Sequence, residues 1–165
     1  MSSKKFKCNL QNPRQKFFQS ANGIFGKIGL RAQPNLILSL IDTFCIPLLL
    51  YGLDALILTK SERSTLDFIY STVYLKVFNV KEKNCINLCQ YYSSCLPASY
   101  RLDVRKINFM YSVFNSYDSL PCQLLSLLGS DDLASLMARY AINPRDSAVA
   151  VKAKVWNQFG KDLQL

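Results

Sequence analysis

Residues 45–58 read CIPLLLYGLDALIL, and no other stretch limits the possible folds as much. Joined to the segment that precedes it from Leu36, the run is long enough to cross a bilayer, which needs about 20 residues. Roughly seventeen apolar residues at about 0.3–0.6 kcal/mol each favour insertion, and Asp42 and Asp54 oppose it by about 2.5–3.5 kcal/mol each at the bilayer centre. The sum is near break-even, so the pattern decides. Pro47 and Gly52 interrupt the run, and Asn35, Ser39, Asp42 and Thr43 lay a polar stripe along its first half. These features predict a kinked core segment and no membrane span: helical from Pro34 to about Ile46, broken at Pro47, and buried over 48–58. Pro47, Tyr51, Gly52 and Asp54 are its expected structural core, with Asp54 partnered by a helix-end amide or a Lys or Arg.

Half of the 165 residues are hydrophobic and 19% are charged, the balance of a folded domain. Twenty Lys and Arg against eleven Asp and Glu give a formal charge of +9, which suits a polyanionic partner such as nucleic acid or acidic lipid, or a solvated basic surface. Met1-Ser2-Ser3-Lys4-Lys5 leads into polar sequence without the apolar centre of a signal peptide, which predicts an intracellular protein, nuclear or cytoplasmic and not secreted, with free thiols. Cys85-x3-Cys89-x5-Cys95 has no Cys-x2-Cys pair and the chain has no histidine, so the cysteines read as small packed hydrophobes in preference to zinc ligands. Without histidine the commonest general base is missing, and neither phosphate-binding glycine motif occurs. Asp131-Asp132 reads as the first turn of a helix. No catalytic residue and no metal site are assigned.

Helical periodicity accounts for the rest. Asn12 caps a helix opened by Pro13 and ended by Gly29, with Phe17, Ala21, Ile24, Phe25 and Ile28 facing inward. Thr59-Lys60-Ser61-Glu62 forms a capping box before a helix whose buried stripe is Leu66, Ile69, Tyr70, Val73 and Val77. A short helix runs from Cys85 to Tyr92. Pro97 introduces another with Tyr100, Val104, Ile107, Tyr111 and Phe114 inward, and its other side carries Arg101 and Arg105 one turn apart with Lys106 nearby, either a candidate phosphate-binding face or a simply solvated one. Helices at 122–128, 131–140 and 144–159 complete the chain, the last capped by Asn143 and buried along Ala148, Val151, Val155 and Phe159. No alternating run supports a strand. The expected fold is all-α: a single helical domain of about six to eight helices with no substantial sheet. Its parts are a flexible basic N-terminus at 1–12, a helical domain at 13–118 and a helical extension at 119–165 packed on the same domain.

Four of these segments, ANGIFGKIG at 21–29, CIPLLLYGLDAL at 45–56, LDFIYSTVYLKVF at 66–78 and RLDVRKINFM at 101–110, also form a pattern together. In order and spacing they resemble the region just after the polymerase palm of non-LTR (LINE-type) retrotransposon reverse transcriptases, over residues 14–115. The resemblance implies a thumb-like domain with its connector, gripping template and primer. Lys16, Lys27, Arg31, Arg63, Lys76, Arg101, Arg105 and Lys106 would then contact the phosphates of RNA or an RNA–DNA hybrid without reading bases. The family's Phe/Tyr-Ala-Asp-Asp turn, whose carboxylates hold two magnesium ions, is missing. The resemblance therefore implies a fragment of an RNA-directed DNA polymerase that is not itself an enzyme and has no cofactor of its own, the Mg2+ belonging to an absent palm. Its partners would be nucleic acid and a fingers–palm polypeptide. Two other functions fit the composition: a helical protein-interaction or structural module whose basic charge is incidental, and a membrane-associated helical protein.

Overall fold

The structure is a computed structural model that describes residues 9–29, 32–115 and 131–164, the side chains of 114 and 115 apart. The fold is all-α, as expected, and the described residues contain no strand. The elements are α1 (Gln11–Ile28), α2 (Pro34–Leu40), a π-helical turn (Ile41–Cys45), α3 (Ile46–Leu50), a 3-10 turn (Leu53–Ala55), α4 (Lys60–Phe78), α5 (Lys83–Tyr92), α6 (Ala98–Asn115), α7 (131–140) and α8 (Ala148–Asp162). They form two compact units, Met1–Val80 and Lys81–Leu165. The 122–128 helix expected from the sequence lies outside the described residues.

In the first unit, α1 starts slightly before Asn12. The Asn9 side chain accepts the Gln11 N–H at 3.0 Å, and Pro13 falls in the first turn, where a missing donor costs nothing. Gly29 ends the helix at φ +76°, a left-handed conformation that glycine adopts freely, with its N–H on the Phe25 carbonyl. Phe17 and Ala21 are buried against the π turn and α3, while Ile28, expected inward, is exposed at the helix end.

The proline of CIPLLLYGLDALIL neither breaks nor simply kinks its helix. Pro47 has no N–H to give the Thr43 carbonyl, and the chain answers by widening one turn: the Ile46 N–H bonds the Ile41 carbonyl, five residues back. Helix continues through this turn from Pro34 to Leu50. The inserted residue shifts the phase, so that Ile41, Cys45, Ile46, Leu49 and Leu50 face inward while Phe44, Pro47 and Leu48 face solvent. Three of the expected core residues are therefore at the surface. Pro47 is exposed, Tyr51 is 82% exposed beyond the last helical turn, and Gly52 is exposed at φ +71°, where it reverses the chain so that Leu53 returns to the core. Asp54 is half-buried in the 3-10 turn. Asp42 faces inward and accepts the Tyr70 hydroxyl at 2.8 Å, and that hydroxyl lies 3.1 Å from the buried Tyr74 hydroxyl. Among the described residues no helix is long and apolar enough to cross a membrane.

Helix α4 opens on the expected capping box. The Thr59 hydroxyl accepts the Glu62 N–H, and the Glu62 carboxylate accepts the Thr59 N–H at 2.7 Å. That backbone bond, and next the Thr59 hydroxyl bond, hold the Glu62 carboxyl below the ordinary glutamate range. A depressed folded-state pKa means stability that is present above the unfolded pKa and lost as pH falls through the folded one. A carbon-detected NMR titration should therefore place the Glu62 midpoint below that of a denatured-state glutamate. Thr59→Ala should raise the midpoint part of the way and cost about 1 kcal/mol of stability.

The second unit centres on Ile107, Met110, Leu133, Leu136, Tyr140, Val151, Val155 and Phe159. Helix α6 is more deeply covered than a single inward stripe predicts: Leu102, Asp103, Lys106, Ile107, Met110 and Val113 are all buried, and Tyr100, Val104 and Tyr111 are half-buried. Helix α8 begins later than expected, at Ala148 with Ser147 as its cap. Asn143 does not cap it. Its N–H goes to the Asp146 carboxylate at 2.8 Å and its carbonyl takes the Asp146 N–H at 3.0 Å, so 143–146 close as a turn and Ala148 stays exposed. Lys154 bonds that carboxylate at 2.6 Å and, with the Asn143 N–H, holds the Asp146 carboxyl below its ordinary range. Trp156 stacks on Tyr91 of α5 at 5.1 Å. On α5 the buried positions are Ile86 and Gln90, which leaves Cys85 and Cys89 half-buried on its flank, whereas Cys45 and Cys95 are fully packed.

Candidate nucleic-acid interface

Charge is distributed unevenly along the chain: ten Lys and Arg against four Asp and Glu in residues 1–80, and ten against seven in 81–165. Helix α1 contains no acidic residue at all. Lys16 and Lys27 are exposed on it. Eleven residues apart, they lie within about 20° of each other around the axis and about 16 Å apart along it, the length of roughly five nucleotides of one strand. Lys76, near the end of α4, reaches across to α1. Its ammonium donates to Asn22 Oδ1 at 3.1 Å and stands 5.2 Å from the centre of the Phe25 ring. An ammonium has three donors, so this anchoring leaves Lys76 able to bond a phosphate as well. Arg63 is half-buried near the start of α4, and Arg31 lies outside the described residues.

The cations expected on α6 are placed differently. The Arg101 Nε–H is bonded to the Leu96 carbonyl at 2.8 Å, and Arg105 is half-buried. Lys106 is 9% exposed, and its ammonium is paired with Asp132 in the first turn of α7. Asp103, between them, is wholly buried and accepts the Tyr140 hydroxyl at 2.5 Å, with Arg139 3.8 Å away and stacked near the Tyr100 and Tyr140 rings. The α6 cluster thus knits the second unit together, and Lys106 in particular is spent on α7 instead of an outside phosphate. Asp132 is in a helical first turn as expected, yet its carboxylate is bonded to the Lys106 side chain.

The sequence pattern did not single out a third exposed cation on α1. Arg14, on α1, lies 5.8 Å from the Phe18 ring and lines a groove of about 360 Å³ along the helix. Its four-residue spacing from Phe18 was the available signal. Among the described residues no three His, Cys, Asp or Glu side chains are grouped to hold a metal ion. The chain matches no protein-family model, no curated protein and no solved structure.

Proposed function

We propose that the chain is a helical nucleic-acid-binding module that tracks the sugar–phosphate backbone with α1 and the end of α4. This is the template–primer grip implied by its resemblance to the post-palm thumb of non-LTR reverse transcriptases. The observation that carries the proposal is the surface of α1: three exposed cations, Arg14, Lys16 and Lys27, no carboxylate, and Lys76 tied alongside. Such a surface neutralises phosphates irrespective of sequence, as a polymerase accessory must. On this reading the chain catalyses nothing itself, needs no cofactor, works inside the cell, and depends on a separate fingers–palm polypeptide for chemistry.

Fluorescence anisotropy with a labelled RNA–DNA hybrid tests it. Affinity should fall with salt at a log–log slope of roughly −3, as four phosphate contacts require. Absence of binding at low salt, or a flat salt dependence, would reject the proposal. A second reading, a helical protein-interaction module, draws on the solvent-facing apolar side chains Leu36, Phe44, Leu48 and Tyr51. It predicts no response to the hybrid at any salt concentration.

A further inference from the structure

We infer that the solvent face of α1 discriminates the sugar of the strand it contacts, favouring RNA over DNA through a row of amide side chains; this rests on the proposed backbone-binding role. With Phe17 and Ala21 buried, the opposite side of the helix carries Gln11, Gln15, Gln19 and Asn22, whose positions fall within about 80° of arc at 100° per residue. Arg14 borders this row on one side and Lys16 with Lys27 on the other. All four amides are exposed and all line the groove that Arg14 and Phe18 share.

A strand held by cations on both borders presents its sugars to the amides between them. Every amide carries both a donor and an acceptor, and so does every ribose 2′-hydroxyl. That hydroxyl recurs at each RNA nucleotide whatever the base, and DNA lacks it. Base edges vary from one nucleotide to the next, so a fixed row of amides suits the sugar better than the base in a protein that must accept any sequence. Spacing agrees: Gln11, Gln15 and Gln19 rise about 6 Å per step, within reach of alternate nucleotides of one strand.

The test is anisotropy of the full chain with labelled single-stranded RNA and DNA oligonucleotides of identical sequence, repeated with a second, unrelated sequence. The wild type should bind RNA about five- to tenfold tighter than DNA, the size of one or two net hydrogen bonds, and equally so for both sequences. The double variant Gln15→Ala, Gln19→Ala keeps a strong helix former at exposed positions, so it should fold as the wild type does by circular dichroism. It should lose the RNA preference while keeping the salt slope. Salt-dependent binding with equal affinity for the two sugars, a preference that survives in the variant, or one that reverses with sequence overturns this inference alone. Failure to bind either strand at low salt overturns the backbone-binding role and this inference with it.

Discussion

Phe17→Ala should destabilise the first unit by about 3–5 kcal/mol, the largest loss expected from any single truncation on α1. Phe17 is fully buried where α1 meets the π turn and α3, and its ring packs edge-on to Phe18 at 5.6 Å. Removing the ring forfeits its transfer free energy and leaves a cavity in a close-packed interior that can relax only in part. Helix α1 has little to fall back on. It contains Gly23 and Gly26, which weaken it, and most helical stability in a protein comes from tertiary packing of the buried face. Since a domain has only about 5–15 kcal/mol in hand, the variant should show far-UV ellipticity loss at a much lower urea concentration. Phe68→Ala supplies the comparison: Phe68 is 64% exposed on α4, and its loss should change stability by no more than about 0.5 kcal/mol. Equal effects from the two would mean that α1 is not docked through Phe17.

Local chemistry made much of this fold readable. The Thr59–Glu62 box, the Gly29 terminus and the Phe17–Ala21 stripe each depend on residues within four positions of one another, and each stands where the sequence put it. Features that depend on distant partners were not readable in this way. Pro47 announced a disturbance, but whether the helix would stop or absorb it as a π turn depends on how Ile41 and Cys45 pack under α1. That choice then set the phase that put Tyr51 in solvent. Asn143-Pro144 is a sound helix start on local grounds, yet Asp146 captures the Asn143 N–H and, held by Lys154, moves the start to Ala148. Likewise Arg101, Arg105 and Lys106 look like an open cationic face until α7 brings Asp132 to Lys106. Lys16 and Lys27 on α1 were legible as cations because both side chains are exposed.

That contrast between spent and exposed cations sets up the second large effect. Replacing Lys16 and Lys27 together by alanine should weaken binding to an RNA–DNA hybrid about 25- to 60-fold at 0.1 M salt, and make the salt slope shallower by about 1.4–1.8, because two phosphate contacts disappear. Stability should hardly change, since both side chains are exposed and alanine favours helix. Lys106→Ala should do the reverse. It leaves the partly buried Asp132 carboxylate without its ammonium, costing about 1–3 kcal/mol, and leaves the salt slope where it was. Urea denaturation and anisotropy on the same two proteins separate the cases. If the charge of this chain is incidental, the lysine pair on α1 has no affinity to lose, and only the Lys106 variant departs from wild type in either measurement.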